Sequence, residues 1–404
     1  MKDDNFSFKA FLKLISASLV LGTIGGGVGA AFSHLIGLVT ELRTANDWLL
    51  YLLPLCGVAI VFLYKKLGIY GQGTNQVLET EKLSPFLSVG VFITAALSHL
   101  FGASVGREGA ALQMGGSLAV VCSKLLHIDN ELRGVLVRAG MAAVFSAVFG
   151  TPIAAFIFAL EVVCVGTLHL KSVLPSLIAS FTAFGVAHLM GVHTERFLLT
   201  TVPDFSLDTA FKIAVLTLCT SFLSIGFCYS LRYSVRFAKF IIKNPYLRIA
   251  IGGIAVILLT IIVGNRDYNG AGTIVIERIF KSGFNNPNSI SISPLAFALK
   301  LIFTCISVAA GFKGGEIVPT LFIGATFGAL LSSLLGLSVP FGAALCMVLL
   351  FCGVTNSPLA SIALSAELFS GVGFWYFVPT VLICFVLSGK ISLYSAQKHK
   401  FKFL

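Results

Sequence analysis

Long uncharged apolar stretches, interrupted by glycine and proline, dominate the pattern of hydrophobic and polar positions along this chain. Residues 317–366 include no aspartate, glutamate, lysine or arginine, and residues 368–389 are again uncharged. Because a membrane-spanning helix needs about 20 apolar residues, the first stretch is long enough for more than one span. Its prolines, such as Pro319, Pro340 and Pro358, predict helices that are broken within the membrane, a pattern typical of transporters and channels.

The first apolar segment, residues 11–38, is longer than the core of a cleaved signal peptide. It is rich in glycine, and no small-residue cleavage site ends it cleanly. We therefore expect this segment to be a helix of the membrane domain rather than a leader that is removed. The pattern as a whole predicts an all-α polytopic membrane protein.

The composition agrees with a lipid environment. Only 11% of the 404 residues are charged, whereas 57% are hydrophobic. Soluble proteins have about 25% charged residues, so a soluble enzyme of this size is excluded. Basic residues exceed acidic ones by 11 and concentrate near both termini and between Arg232 and Arg248. By the positive-inside rule, we expect a protein of the cell (inner or plasma) membrane with both termini in the cytoplasm and no nucleic-acid partner.

Metal and cofactor chemistry finds little support in the sequence. The nine cysteines lie in apolar runs without CxxC spacing, and the seven histidines are scattered. His99 is expected to be a buried group whose hydrogen bonds are satisfied. No P-loop motif occurs, and we expect no metal, no cofactor and no enzymatic activity.

An internal repeat is visible in two pairs of motifs. Pro152 is followed nine residues later by Glu161, and Pro358 is followed at the same distance by Glu367. Glu108 lies in a Gly-Arg-Glu-Gly motif, and Glu316 lies in a Gly-Gly-Glu-Ile motif. The separation of these two glutamates (316 − 108 = 208) is close to the separation of the two prolines (358 − 152 = 206). These matches predict one transport domain over residues 1–404, built from halves at about 1–206 and 207–404. An odd number of spans in each half would invert one half relative to the other.

The repeated motifs suggest how an anion could be bound. A glycine-rich segment before an apolar helix leaves free N–H groups at the helix start, where the positive end of the helix dipole favours an anion. An ionised carboxylate can occupy such a site and leave it when protonated, which couples anion movement to proton movement. We therefore predict that Glu108 and Glu316 are gating and proton-coupling residues.

Structural roles are the alternatives for all four motif glutamates. Glu108 could form an ion pair with its neighbour Arg107, although adjacent side chains on a helix diverge. Glu316 could pair with Lys313. Glu161 and Glu367, expected one to two turns inside their helices, are interpreted mainly as structural hydrogen-bonding groups.

Three motifs resemble those of the CLC family of anion transporters and channels: Gly106–Ala110, Gly311–Pro319 and Leu393–Ala396. A further segment, Gly71–Asn75, falls where that family has its first anion-binding loop. The resemblance implies a homodimer with one pore per subunit and two inverted halves with broken and re-entrant helices. It also implies that Glu108 is the gating glutamate and that the regulatory CBS domains of many members are absent. The anion-binding residues that follow from it are Gly71, Gln72, Gly73, Thr74, Asn75, Gly106, Arg107, Gly109, Gly315, Ile317, Val318 and Tyr394, the last as a hydroxyl donor at the inner gate.

Departures from the chloride-handling members point to fluoride. Gln72 stands where those members usually have serine, Val162 replaces a second glutamate of many chloride/proton exchangers, and Glu316 replaces an apolar residue. The Gly-Phe-Lys-Gly-Gly-Glu motif resembles that of the fluoride/proton antiporter branch. One residue departs from that branch, because Val318 stands where threonine is frequent.

Fluoride is small and tightly hydrated, so its site must replace water with dense hydrogen-bond donors. Gln72, Thr74, Asn75, Tyr394 and a protonated Glu316 could supply them. The sequence therefore predicts a fluoride/proton antiporter that exports fluoride. The alternatives are a chloride/proton exchanger of the same family and a passive anion channel.

Overall fold

The computed structural model describes residues 8–79, 83–167, 169–193, 196–285 and 292–400. In these parts of the chain, seven helices are long and apolar enough to cross a membrane, and shorter apolar helices lie between them. The two strands have only two residues each and pair in parallel, so the predicted all-α class is confirmed.

The first half begins with α1 (Phe8–Ala45), a 3-10 helix (Asp47–Leu52), α2 (Leu53–Lys66), α3 (Thr74–Glu79) and α4 (Leu87–Leu100). It continues with α5 (Glu108–Leu125), α6 (Asn130–Phe149), α7 (Pro152–Glu161), β1 (Cys164–Val165) and α8 (Leu170–Leu189). The second half contains α9 (Leu207–Ile241), α10 (Pro245–Val263), α11 (Thr273–Asn285), α12 (Ala296–Ala310), α13 (Ile317–Leu335), α14 (Val339–Thr355), α15 (Pro358–Leu368), α16 (Phe374–Ser388) and β2 (Lys398–His399). Eight described helices therefore follow one another in a similar order of lengths in each half.

Glycine and proline break the apolar stretches where the pattern predicts interruptions. The uncharged stretch from residue 317 to residue 366 contains α13, α14 and most of α15. Gly336 ends α13 in the left-handed conformation, and Asn356 ends α14 in the same way. Pro340 and Pro358 lie in the first turn of the following helices, where the missing N–H has no intrahelical partner to lose.

An antiparallel bridge joins the two halves immediately before α5 and α13. The Gly106 N–H donates to the Gly315 carbonyl at 2.5 Å, and the Gly315 N–H donates to the Gly106 carbonyl at 2.7 Å. The two helices therefore begin at one place, which we call the junction (residues 106–109 and 315–318). Glycine is needed there, because a β-carbon on Gly315 would collide with the Gly109 nitrogen and one on Gly109 would lie 2.7 Å from the Gly315 α-carbon.

A second pair of reciprocal hydrogen bonds surrounds the bridge. The Ser98 hydroxyl on α4 accepts from the Lys313 N–H at 3.1 Å, and the Ser307 hydroxyl on α12 accepts from the Ser104 N–H at 2.9 Å. Ser98 and Ser307 are the same distance apart in sequence as the bridge residues (307 − 98 = 209; 315 − 106 = 209). Both pairs therefore follow one approximate two-fold relation between the halves.

The third reciprocal contact shows that equivalent helices run in opposite directions. The Glu161 carboxylate, at the end of α7, accepts from the N–H groups of Leu359 and Ala360 at the start of α15, at 3.2 and 2.9 Å. The Glu367 carboxylate, near the end of α15, accepts from Ile153 and Ala154 at the start of α7, at 2.9 and 2.8 Å. The α7 and α15 helices are therefore antiparallel, as the inverted relation requires.

These contacts correct two details of the sequence interpretation. Glu161 and Glu367 lie at or next to the last residue of their helices, not one to two turns inside them. The offset between the halves at the junction is 209 rather than 208, so Glu316 is equivalent to Arg107 and Ile317 to Glu108. The offset falls to 206 at Glu161 and Glu367 because α14 has 17 residues and α6 has 20.

We expect the substitution Gly315→Ala to destabilise the protein strongly. The added methyl group would overlap the backbone of α5 and separate the two helix starts, and overpacking of this kind costs about 1–3 kcal/mol or more. The free energy of unfolding in detergent measures the effect. The matched control is Gly27→Ala within α1, where a β-carbon would meet no described atom within 4 Å, so about 0.5–1 kcal/mol of stabilisation is expected. Equal stability of the two variants would contradict the role given to the bridge.

Removal of a reciprocal cap should also lower stability. Glu367→Ala leaves the N–H groups of Ile153 and Ala154 without their carboxylate, which we expect to cost about 0.5–2 kcal/mol, and Glu367→Gln should cost less because one acceptor oxygen remains. Glu277→Ala is the control, since that exposed side chain pairs only with Lys281 on the same helix and its loss should cost no more than about 0.5 kcal/mol. A cost for Glu367→Ala that equals the control would contradict the cap.

Candidate functional site

The junction presents the free N–H groups of two helix starts. Arg107 precedes the first residue of α5, and Glu316 precedes the first residue of α13. The first helical hydrogen bond of α13 runs from the Thr320 N–H to the Glu316 carbonyl at 3.0 Å. The N–H groups of Ile317 and Val318 therefore have no helical acceptor, as at any helix start, and can face an anion.

The Glu108 carboxylate folds back over the start of its own helix. Its side chain is 0% exposed, and one carboxylate oxygen accepts from the Arg107 N–H at 3.1 Å. The other oxygen pairs with the Arg107 Nε at 3.3 Å. The expectation that adjacent side chains diverge is wrong here, and the ion pair with Arg107, the structural alternative for Glu108, is present. A carboxylate thus already occupies the kind of position that suits an anion.

The Glu316 carboxylate lies against the start of α5. Its Oε2 is 3.6 Å from where a β-carbon of Gly109 would be. The Lys313 Nζ lies 4.2 Å from the centre of the Tyr64 ring. Lys313 and Glu316 attract each other electrostatically, but the described residues show no ion pair between them within 4.0 Å. Glu316 therefore reaches the opposite half of the molecule at the point where the two helices begin.

The first glycine loop, Gly71–Asn75, is held by hydrogen bonds from several directions. Gly71 has a φ of +89°, a left-handed conformation that favours glycine. The side-chain oxygen of Gln72 accepts from the Ser84 N–H at 3.1 Å, and the Gly73 N–H donates to Gln76 Oε1 at 2.9 Å. Some of the hydrogen-bonding groups of this loop therefore stabilise the conformation of the loop itself.

Two further contacts connect this loop to the rest of the site. The Thr74 hydroxyl accepts from the Gln113 side chain on α5 at 3.1 Å. The Asn75 side-chain oxygen accepts from the Ala396 N–H at 3.1 Å, and Ala396 lies two residues after Tyr394. The first glycine loop, α5 and the Tyr394 segment are therefore connected by hydrogen bonds.

Tyr394 presents a buried hydroxyl that protein atoms leave free. Its side chain is 3% exposed, and its hydroxyl oxygen has no hydrogen-bond partner in the described parts of the chain. Both Glu108 and Glu316 interact electrostatically with the phenol. The hydroxyl can therefore donate to a small acceptor that enters the space near the two carboxylates.

Sequence reasoning missed a second glycine loop, residues 270–273, which repeats the Gly-x-Gly-Thr pattern of residues 71–74. Its Gly272 packs against Phe322 on α13, and Phe322 is 209 residues after Gln113, the partner of Thr74. The two glycine loops therefore lie in equivalent places on opposite sides of the junction. The shared pattern was the signal that could have found it.

His99 and Lys300 lie beside the second glycine loop. His99 is buried as expected, at 1% exposure; its ring interacts with the Gly106 backbone, while its Nε2 atom has no hydrogen-bond partner among the residues described. Lys300 is 0% exposed and donates to the carbonyls of Tyr268 and Gly270 at 3.1 and 2.6 Å. A buried lysine in an apolar run is visible in the sequence, but its partners are not.

Comparison with known proteins agrees with this fold. A family model described as voltage gated chloride channel matches residues 56–389. A "chloride/fluoride channel protein" of Pseudomonas syringae pv. tomato is 31% identical over 397 residues, which cover 96% of this chain and 86% of the relative. A ClC-type chloride channel of Salmonella dublin is 24% identical over 423 residues, which cover 95% of this chain and 96% of the relative.

Solved structures show the same architecture. The crystal structure of a CLC-type fluoride/proton antiporter superimposes with a TM-score of 0.92 at 30% identity, covering 98% of this chain and all of the other. A cyanobacterial chloride/proton antiporter superimposes with a TM-score of 0.73 at 18% identity, covering 93% of this chain and 94% of that one, and shows the fold alone. The resemblance inferred from the motifs is confirmed: the chain is a multi-pass membrane protein that belongs to the voltage-gated chloride channel, or CLC, family.

Proposed function

We propose that this protein exports fluoride from the cytoplasm in exchange for protons, with Glu108 as the gating residue. The observation that carries the proposal is the position of Glu316, whose carboxyl group lies at the junction against Gly109 and forms no ion pair with Lys313. A carboxyl group at a helix start is either a competitor of the anion or, when protonated, a hydrogen-bond donor to it.

The proposed cycle uses one space in two ways. With Glu108 ionised, its carboxylate covers the start of α5 and excludes the anion. When Glu108 takes up a proton, its attraction to the helix start and to Arg107 falls, and fluoride can bind the N–H groups of Ile317 and Val318. The Tyr394 hydroxyl and a protonated Glu316 add two donors from the other side. Because the Glu108 carboxylate and the anion compete for this space, and protonation of Glu108 decides which of them occupies it, the movements of proton and anion are coupled.

Fluoride rather than chloride is favoured by the donor chemistry and by the relatives. A dehydrated fluoride needs more hydrogen bonds than helix N–H groups alone supply, and Glu316 with Gln72 adds polar groups where chloride-handling members are less polar. A 31%-identical relative carries fluoride in its name, and a solved structure at 30% identity is a fluoride/proton antiporter. Chloride/proton exchange is the second candidate, because the Val318 side chain at the junction is apolar and only 1% exposed.

We also propose a homodimer with one pore in each subunit, a single transport domain over residues 1–404, and cytoplasmic termini. Two contacts support the proposal that the basic part of α9 and the C-terminal lysines lie on the same side of the membrane. An Arg232 guanidinium nitrogen donates to the Ser392 carbonyl, and the Lys398 N–H donates to the Val163 carbonyl at 3.2 Å. The end of α9 and the C-terminal lysines thus lie near each other, as the positive-inside rule requires of cytoplasmic residues.

Flux through proteoliposomes tests the proposed function. We expect fluoride efflux to drive proton uptake in the wild type, while chloride is carried much more slowly. Glu108→Gln should keep the shape of the gate but remove its titration, so proton movement linked to fluoride should be lost. Glu316→Ala should abolish coupled fluoride transport because it removes a carboxyl group from the junction.

Three results would contradict the proposal in different ways. Equal fluoride and chloride rates would remove the selectivity. Fluoride flux without linked proton movement would indicate a channel. Normal coupled transport by Glu316→Ala would leave Glu316 a structural residue. Asp208→Asn serves as a control for charge removal, because that exposed carboxylate pairs with Lys212 one turn along α9.

The apolar side chain at position 318 provides a further prediction. Val318→Thr conserves shape and adds a hydroxyl donor beside the N–H groups that face the anion. We expect it to raise the ratio of fluoride to chloride transport, because a neutral hydrogen bond is worth about 0.5–1.5 kcal/mol, or roughly a factor of 2 to 13. Val348→Thr on α14, which is equally buried but not at the junction, is the control. An unchanged ratio in Val318→Thr would mean that the side chain at 318 does not face the anion.

A further inference from the structure

The C-terminal strand β2 is attached to the loop between α7 and α8 by a short parallel pairing with β1. The Lys398 N–H donates to the Val163 carbonyl, and the Lys400 N–H donates to the Val165 carbonyl, both at 3.2 Å. Each strand contributes only two residues. We call this contact the terminal pairing. Because so short a pairing is only marginally stable by itself, the charges around it affect its stability strongly.

Positive charge collects around the terminal pairing from three parts of the chain. Lys398 and Lys400 are exposed and lie two residues apart, so their side chains project from the same face of an extended segment. His169, the residue before α8, interacts electrostatically with both lysines and with Arg138 on α6. Burial and these three cations lower the pKa of His169. We call Arg138, His169, Lys398 and Lys400 the basic cluster.

Arg138 is the most enclosed member of the basic cluster. Its Nη1 donates to the Gly134 carbonyl at 3.4 Å and to the Ser172 hydroxyl at 3.2 Å. Ser172 is 0% exposed and lies in the first turn of α8, so the guanidinium is held beside the start of that helix. The Nε atom of Arg138 is buried and has no hydrogen-bond partner in the described parts of the chain. Neither Gly134 nor Ser172 has a negative charge that could balance the guanidinium.

Acidic groups do not neutralise the basic cluster. Among the residues that the structure describes, no carboxylate lies within 4.0 Å of a charged nitrogen of Arg138, Lys398 or Lys400. Glu131 is the acidic residue nearest to Arg138 in sequence, but it is exposed at the start of α6, seven residues earlier (138 − 131 = 7). Repulsion between the cations of α6 and β2 therefore opposes the terminal pairing.

An exposed apolar strip begins directly beside the basic cluster. Leu170 is 82% exposed and Leu174 is 41% exposed, one turn apart on α8. The α8 helix is long and apolar enough to cross a membrane, so these leucines face lipid at the end of the helix where His169 lies. The N–H groups at the start of α8 also favour a negative group there. A ligand that matches both features has an anionic head and an apolar tail.

We propose that the basic cluster binds the phosphate of an anionic phospholipid headgroup, and that this lipid stabilises the terminal pairing. The Arg138 guanidinium suits phosphate oxygens, while Lys398 and Lys400 approach the same group from β2. A single phosphate between these cations replaces their repulsion by two attractions. A zwitterionic headgroup has a cation of its own and does this less well. The lipid site goes beyond the proposed transport function and does not depend on it.

The terminal pairing lies close in sequence to the Tyr394 segment. The β2 strand begins four residues after Tyr394 (398 − 394 = 4), and the Ala396 N–H between them donates to the Asn75 side chain of the first glycine loop. A lipid that stabilises the terminal pairing therefore restrains the chain on one side of the Tyr394 hydroxyl. Only this consequence for transport rests on the proposed function.

Hydrogen exchange of the full chain in lipid nanodiscs tests the lipid site without any transport measurement. The amides of Lys398 and Lys400 report the terminal pairing because both are donors in it. We expect these amides to exchange about tenfold more slowly in discs that contain phosphatidylglycerol than in discs of phosphatidylcholine alone. Inorganic phosphate added to phosphatidylcholine discs should give little protection, since it lacks the apolar tail that follows α8.

Charge variants identify the residues responsible. The double variant Lys398→Gln with Lys400→Gln should exchange more slowly than the wild type in phosphatidylcholine, because repulsion is removed, and should gain nothing from phosphatidylglycerol. The corresponding double change to arginine should keep the lipid dependence. Lys239→Gln with Lys243→Gln is the matched control, because these lysines are exposed near the end of α9 and lie outside the basic cluster.

Four results would overturn the proposal. Equal exchange of the wild type in both kinds of disc would show that no anionic lipid stabilises the pairing. Lipid dependence that survives in the double glutamine variant would place the lipid elsewhere. An equal loss of lipid dependence in the α9 control would indicate a general effect of surface charge. Full protection by inorganic phosphate would make the ligand a soluble phosphate instead of a lipid.

Discussion

The backbone bridge between Gly106 and Gly315 is the contact on which the rest of the structure depends. It brings the starts of α5 and α13 together, and each of these helix starts has a partial positive charge. Two such ends repel each other, so the arrangement requires a negative group between them or beside them. In the structure described here the Glu108 carboxylate is that group. The same geometry that suits an anion therefore explains why a glutamate is stable in an apolar, membrane-embedded part of the protein.

Carboxylates contact helix starts in two different arrangements in this molecule. Glu161 and Glu367 each bind two N–H groups of a helix in the opposite half, and both oxygens of each carboxylate are engaged. Such a carboxylate is fixed and joins α7 to α15. Glu108 belongs to the helix whose start it covers, so it can rotate away while the helix start keeps its position. Position relative to the helix, rather than residue type, separates the structural glutamates from the gating candidate.

The sequence predicts the class of fold and the repeat because these depend on local patterns, whereas most of the candidate site residues follow from the resemblance to a family. At the junction, the alignment of the two halves predicted from the sequence is wrong by one residue. Glu108 and Glu316 match as residue types, but the backbone bridge makes Glu316 equivalent to Arg107. The ring contact of Lys313 with Tyr64 joins positions 249 residues apart (313 − 64 = 249), and no local pattern indicates it.

The two halves share a backbone but differ in chemistry at equivalent positions. Arg107 in the first half is replaced by Glu316 in the second, and the buried Val91 on α4 corresponds to the buried Lys300 on α12 (300 − 91 = 209). The duplicated scaffold alone would make a pathway with identical ends. These two replacements instead give equivalent positions of the two halves different charges. An anion and a proton therefore meet different groups according to the side from which they arrive, and a symmetric fold acquires two distinct faces through a few side chains.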